Sequence, residues 1–338
     1  MRITGDEVKN IQRIRLAHLP TPIVELSRLG QELGGPRIYI KRDDLTSLVL
    51  GGNKVRKLEF LIADAIRQGC DTVITAGRSQ SNHACLTAAA ALQSGIHPIL
   101  LLFDDHPTAD VGNLFIDRLL NAECRFFPAK EYERVEILLV QVAEELRSKG
   151  KHPYVIPIGG ASPVGCLGYI FAADEIKNQL NSMEICPDVI VHASSTGGTL
   201  AGLEIGRRLF GLDVPVVTMT VYRPSQELAN RVVREAEETI AYLGLNLTLR
   251  PSDLTIHDRY IGPGYGVVTE ETVRTIQLFA RTEGIILDPV YSAKAAWGMV
   301  DLIGRGVYKQ NQTVLFIHTG GIPGLFAKTP QILRSVHQ

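Results

Sequence analysis

Short apolar runs alternating with longer amphipathic ones fill most of this chain. "DTVITAG" (71–77) is a compact apolar run that ends in glycine, and a helix-patterned stretch follows through "HACLTAAAALQSG". The alternation repeats as strand-like "HPILLLF", helix-like "NLFIDRLLNAE", strand-like "CRFFP" and a long helical pattern over "EYERVEILLVQVAEELRSKG" that Gly150 ends. "YVIPIGG" resumes as a strand, followed by a helix through "AADEIKNQL", the strand "DVIVHAS", the helix "LAGLEIGRRLFG" and the strand "VPVVTMTVY". The last third adds a helix through "TEETVRTIQLFARTEG", a short strand "IILDPV", a helix from Ser292 and the strand "TVLFIHTGG". Apolar strands separated by helices of about 10–20 residues predict βα units on parallel sheets, an α/β fold. The strands are too many for one comfortable open sheet. Two α/β domains are expected, a smaller one over residues 53–161 and a larger one from residues 1–52 plus 162–338. No repeat, low-complexity run or Pro/Ser-rich linker marks the boundary.

The 338 residues suit two domains of about 100–200 residues each. Thirty-five basic and 36 acidic side chains nearly cancel, with no basic tail, so neither nucleic acid nor a membrane surface is an expected partner. The first twenty residues lack the apolar core of a signal peptide, and "ILLVQVA" and "PILLLF" fall far short of the roughly 20 residues that span a bilayer. Five cysteines (70, 85, 124, 166 and 186) form no CxxC or Cys/His spacing. Reduced thiols, no metal centre and a cytoplasmic location are the expectation.

In open α/β sheets ligands collect where strands turn into helices, and several such turns here are polar. "LVLGGNKVRKLEF" seats Lys54 at a helix start, where the macrodipole disfavours a cation. Lys54 is either a surface lysine tolerating a small penalty or an amine held for chemistry. After "DVIVHAS", the residues Ser194, Ser195, Thr196, Gly197, Gly198 and Thr199 put hydroxyls and open N–H groups before a helix. One reading is a capped tight turn; the other is a cradle for a compact phosphate monoester. Neither GxxxxGK[ST] nor GxGxxG occurs. "GRSQSNHACL" puts Ser81, Asn82 and His83 at another helix start, as ordinary caps or as ligand-facing donors. "IHTGG" brings His318 and Thr319 to a third glycine turn, where a histidine is more often a structural hydrogen-bonder than a catalyst. Tyr265 lies between glycines and Tyr291 stands at a strand end. A lysine held in an apolar cleft loses ammonium solvation and becomes nucleophilic, as a Schiff-base lysine must. A carbonyl compound with a phosphate handle satisfies both features, and pyridoxal phosphate is one.

"KRDDLTSLVLGGNKVRKLEFLIADA", "QSNH", "YVIPIGG", "GPGYG", "LDPVYSAKA" and "FIHTGGIPGLFA" together resemble the 1-aminocyclopropane-1-carboxylate deaminase / D-cysteine desulfhydrase family of pyridoxal phosphate enzymes. The resemblance runs from about Leu19 to Ala327. It implies a tryptophan synthase β-like (fold-type II) architecture: two open, twisted, mostly parallel sheet domains flanked by helices, with the active site in the interdomain cleft. By position it implies that Lys54 carries the cofactor and that Lys57 and the loop Ser195, Thr196, Gly197, Gly198, Thr199 hold the phosphate; the Lys54 amine, once freed, is then the leading candidate to remove the Cα proton. Asn82 would bond the pyridine 3-oxygen, Thr319 would sit near the ring nitrogen, and Ser81 would bind the substrate carboxylate or assist catalysis, with Asn82 and His83 nearby. Tyr265 and Tyr291 would act as acid/base or positioning groups, and homodimers are common. Cyclopropane-opening members carry glutamate directly after the tyrosine of "DPVY"; here it is Ser292. That points to α,β-elimination from D-cysteine. L-cysteate is an alternative, because Arg78 stands where small residues are usual and could meet a sulfonate, or could be an exposed turn residue. Ring-opening deamination and a non-catalytic ligand-binding homologue are the others.

Overall fold

The computed structural model describes residues 5–8, 10–105 and 110–336. Its strands are β1 (Ile23–Glu25), β2 (Arg37–Lys41), β3 (Thr72–Gly77), β4 (His97–Phe103), β5 (Glu123–Phe127), β6 (Pro153–Val155), β7 (Val189–Ser194), β8 (Val216–Thr220), β9 (Thr255–His257) and β10 (Thr313–Ile317). Six form one sheet in the order β1-β2-β10-β7-β8-β9, and four form another in the order β5-β4-β3-β6. Only β1 runs antiparallel to its neighbour. Every residue of β3 and β7 is buried, which is why these strands read as mostly apolar runs without a solvent-facing alternation, broken only by the buried Thr72, Thr75, His192 and Ser194. The helix Pro163–Ser182 packs on the helix Gly198–Phe210 through Gly202 and Gly206, whose added Cβ atoms would lie 2.6 Å from backbone oxygens of Cys166 and Ile170. Among the described residues no helix is long and apolar enough to cross a membrane, and no group of three His, Cys, Asp or Glu could hold a metal ion.

The helix Asn53–Arg67 lies between the two sheets, against the helices Pro163–Ser182 and Asn82–Gln93, and ten of its fifteen residues are buried. A buried ionic cluster fixes it. Arg56 donates to Asp43 at 2.9 and 2.8 Å and to Glu175 at 3.0 and 2.8 Å, while Lys41 Nζ donates to Glu175 at 2.5 Å. Two cations thus face two anions, so no charge is left uncompensated in the interior. Burial alone would raise the Asp43 carboxyl; the Arg56 guanidinium outweighs it and holds the group at about 2.

Two elements differ from the expectation. Residues 285–290, "IILDPV", form no strand. Pro289 has no N–H to give, the Asp288 carboxylate takes the N–H groups of Val290 and Tyr291, and the Ile286 carbonyl accepts from His318 Nε2 at 2.9 Å. Local side-chain bonds satisfy this backbone in place of a ladder. The long helix expected from "EYERVEILL" begins as a 3₁₀ turn, Ala129–Arg134, before the α-helix Val135–Ser148.

Candidate active site

The carboxyl ends of β3, β4, β7, β8 and β10 open onto one cavity of about 470 Å³ between the two sheets. Lys54 reaches it because two glycine turns interlock. Gly51 (φ 71°) and Gly52 (φ 133°) lead into the helix at Asn53, and Gly320 (φ 83°) follows β10. Gly52 and Gly320 form an antiparallel bridge, and Asn53 N donates to Thr319 O at 3.0 Å. A Cβ on Gly320 would lie 2.6 Å from Gly52 Cα, so the approach requires glycine. His318 shapes the same turn: Nε2 donates to the Ile286 carbonyl and Nδ1 accepts from Gly320 N at 3.2 Å. It is a structural hydrogen-bonder here.

Lys54 Nζ donates to Asn53 Oδ1 at 3.1 Å and faces the cavity. Burial, then the nearby Lys57 charge, lower its ammonium to about 7, and Asp288 opposes them only in part. A substantial fraction of Lys54 is therefore a neutral amine near neutral pH.

The turn after β7 brings Ser195, Thr196, Gly197 and Thr199 to the cavity wall at the start of the helix Gly198–Phe210. Gly197 has φ 103°, a conformation that L side chains avoid. Lys57 and Gly198 stand behind this wall: Lys57 Nζ donates to the Gly159 carbonyl at 3.2 Å and would lie 2.7 Å from a Cβ on Gly198. Asn53 Nδ2 donates to Thr199 Oγ1 at 3.1 Å, which joins the lysine turn to this loop. At the end of β7, Ser194 Oγ is buried without a hydrogen-bond partner among the described residues and borders the cavity. An unpartnered hydroxyl, open backbone N–H groups and a helix N-terminus suit a phosphate-bearing group.

Across the cavity, Ser81 caps the helix Asn82–Gln93, accepting from Ala84 N at 3.2 Å, and Asn82 follows it. His83 is buried, with Nε2 2.9 Å from Thr75 Oγ1. Burial and the two lysine charges hold its imidazole neutral, well below the ordinary value. Tyr265 and Tyr291 meet hydroxyl to hydroxyl at 2.5 Å. Burial pushes Tyr265 up to about 12 and holds Tyr291 well above the ordinary tyrosine value, so both remain protonated. Thr319 lines the floor beside Lys54. Arg78 stands at the mouth, but it is engaged: its guanidinium lies 5.3 Å from the Tyr132 ring centroid and 3.7 Å from Asp104.

Sequence reasoning did not single out Asp288, whose carboxylate accepts from Val290 N, Tyr291 N, Ser292 N and Ser292 Oγ at 2.6–2.9 Å and so shapes the turn bearing Tyr291. Its signal was present, since Asp before Pro at a helix start is a turn signature. Tyr132 and Tyr222 also line the cavity and carried no local signal.

The family profile described as "Pyridoxal-phosphate dependent enzyme" matches residues 14–320. A Pyrococcus abyssi protein named "Putative 1-aminocyclopropane-1-carboxylate deaminase" is 42% identical over 93% of each chain. "D-cysteine desulfhydrase" of Yersinia enterocolitica is 41% identical over 95% of this chain and 97% of its own. The structure is similar to a crystal structure titled as that of the ACC deaminase homologue, with TM-score 0.88 and 39% identity over 97% of each chain. It shares its fold with a threonine deaminase from Solanum lycopersicum, at TM-score 0.70 and 16% identity, over all of this chain and 90% of that one.

Proposed function

Because this chain belongs to the pyridoxal-phosphate dependent enzyme family, we propose that it is a lyase that removes the β-substituent of a small amino acid, with D-cysteine as substrate, hydrogen sulfide released on elimination, and pyruvate and ammonia formed when water hydrolyses the eliminated product. The observation that carries this choice is Ser292. It is fully buried and its Oγ donates to Asp288 at 2.6 Å, so the position that holds glutamate in cyclopropane-opening members presents no carboxylate to the cavity.

The residues fit the cofactor. Lys54 would hold it covalently; the loop from Ser195 to Thr199, backed by Lys57, would hold its phosphate. Asn82 would bond the ring oxygen and Thr319 would face the ring nitrogen, while Ser81, with Asn82 and His83 nearby, would receive the substrate carboxylate. When bound, pyridoxal phosphate supplies an electron sink for the negative charge that develops at Cα. Lys54, neutral in part near pH 7, accepts the Cα proton on Nζ. One hydroxyl of the Tyr265–Tyr291 pair donates to the departing sulfur, and the other keeps that hydroxyl supplied through their shared hydrogen bond. Thr319 offers a neutral hydroxyl at the floor, which supports ring protonation weakly and favours prompt elimination over transamination. We divide the chain into a lobe over residues 53–161 and a lobe from residues 1–52 and 162–338. A cytoplasmic homodimer completes the reading, supported by five free cysteines and by the exposed stripe of Val111, Phe115 and Leu119 at helical spacing.

The test offers D-cysteine, L-cysteine, L-cysteate and 1-aminocyclopropane-1-carboxylate in parallel to the cofactor-loaded enzyme, with sulfide, sulfite, pyruvate and 2-oxobutyrate measured. Equal sulfide and pyruvate from D-cysteine is the expected result; 2-oxobutyrate without sulfide would move the enzyme to the ring-opening branch. Lys54→Ala should abolish both turnover and the borohydride-sensitive absorbance.

A further inference from the structure

A backbone carbonyl sets the sense of a three-residue amide chain that ends in the cavity. Asn113, buried at the start of the helix Gly112–Leu119, donates from Nδ2 to Gln80 O at 3.0 Å and to Asn82 Oδ1 at 2.7 Å. Its own backbone N–H donates to Gln80 Oε1 at 3.0 Å, and Gln80 Nε2 donates to the Val111 carbonyl at 2.9 Å, so both ends of Gln80 are fixed. A carbonyl can only accept, so Gln80 O forces Asn113 to present its NH₂ rather than its oxygen. The two hydrogens of that NH₂ are then both used, and the second can only be received by an oxygen. Asn82 must therefore turn its Oδ1 toward Asn113, which leaves its Nδ2 as the atom that faces the cavity. Gly321 packs closely beside this amide: a Cβ there would lie 2.7 Å from Asp288 Cγ and 3.0 Å from Asn82 Nδ2.

We infer that Asn113 is a positioning residue that locks the Asn82 amide with its NH₂ toward the bound cofactor, making that face a donor for an anionic oxygen. This rests on the proposal that pyridoxal phosphate occupies the cavity. With the opposite amide orientation, Asn82 would present an acceptor to the same anionic oxygen and repel it.

The test uses Asn113→Asp, isosteric but unable to donate, and Asn113→Leu, similar in size and without polar atoms. Each is titrated with pyridoxal phosphate, reading the fluorescence and absorbance of the bound cofactor and the pH dependence of that absorbance, alone and combined with Asn82→Ala. Cofactor affinity should fall about 10- to 100-fold in Asn113→Asp, as expected for losing a hydrogen bond to a charged acceptor, with a displaced pH profile. Combined with Asn82→Ala, neither variant should add a further loss, because Asn113 acts through Asn82. Wild-type affinity and pH profile in both variants, or losses that add in full to that of Asn82→Ala, would overturn the inference; if Asn113→Asp does not fold, Asn113→Leu decides by the same readouts. Failure of the wild-type protein to bind pyridoxal phosphate would instead overturn the cofactor proposal and this inference with it.

Discussion

Replacing Lys54 by Met should stabilise the cofactor-free protein, and more so in acid. The side chain keeps its length and loses the charge that the fold disfavours. In the unfolded chain Lys54 keeps its proton to about pH 10.5, whereas in the fold it releases it near 7. Between those values the unfolded state binds more protons, so the native state gains stability as pH rises across the window. Below about pH 7 both states are protonated and the cost of the buried ammonium is present in full. At ~1.4 kcal/mol per tenfold change in proton affinity, the drop from 10.5 to about 7 sets an upper limit of ~5 kcal/mol. Water in the cavity screens the charge, which brings the expected gain to roughly 1–3 kcal/mol near pH 6, to a little under half of that by about pH 9, and to nothing above about pH 10.5. Urea titrations of the two cofactor-free proteins at these pH values measure it, with an unchanged slope showing that the same surface is exposed. A Met variant no more stable than wild type near pH 6, or a gain that does not vary with pH, would refute the reasoning. The expected result means that the fold gives up stability to keep one amine reactive.

Four further outcomes follow from the geometry. Asp43→Ala leaves Arg56 facing only Glu175 and should destabilise the protein by ~3–5 kcal/mol in urea melts. Asp43 is itself depressed to about 2, so the stability it confers is complete above its unfolded value of 3.8 and should disappear as pH falls through 2 in an acid titration. Gly320→Ala forces a Cβ within 2.6 Å of Gly52 Cα at φ 83°; thermal melts should show a loss of roughly 1–3 kcal/mol, and cofactor titration a weaker site, because the Lys54 turn is displaced. Tyr265→Phe and Tyr291→Phe each break the 2.5 Å hydroxyl contact; the one that serves as the acid should lower kcat about 10²–10⁴-fold, while the other changes it far less, in steady-state assays with D-cysteine.

What the sequence by itself determined is local in origin. A buried parallel strand must be mostly apolar, and a strand that turns sharply into a helix needs glycine or a capping hydroxyl, so β3, β4, β7 and β10 and their polar turns were legible. Lys54 at a helix start and the hydroxyl–glycine loop from Ser194 to Thr199 announced themselves by the same logic. What the tertiary structure alone decided depends on groups far apart in the chain. The bridge between Gly52 and Gly320 seats Lys54 beside Thr319, and the neighbouring Lys57 with burial sets its proton affinity. Asp104 stands 3.7 Å from Arg78, and Asn113 Nδ2 donates to Asn82 Oδ1 at 2.7 Å. In "IILDPV" the apolar pattern predicted a strand, yet the Asp288 carboxylate accepts from Val290 N and His318 donates to the Ile286 carbonyl in place of a ladder. Local pattern records which face a residue must bury; the identity of its partner, which fixes charge, donor sense and reactivity, is written only in the folded chain.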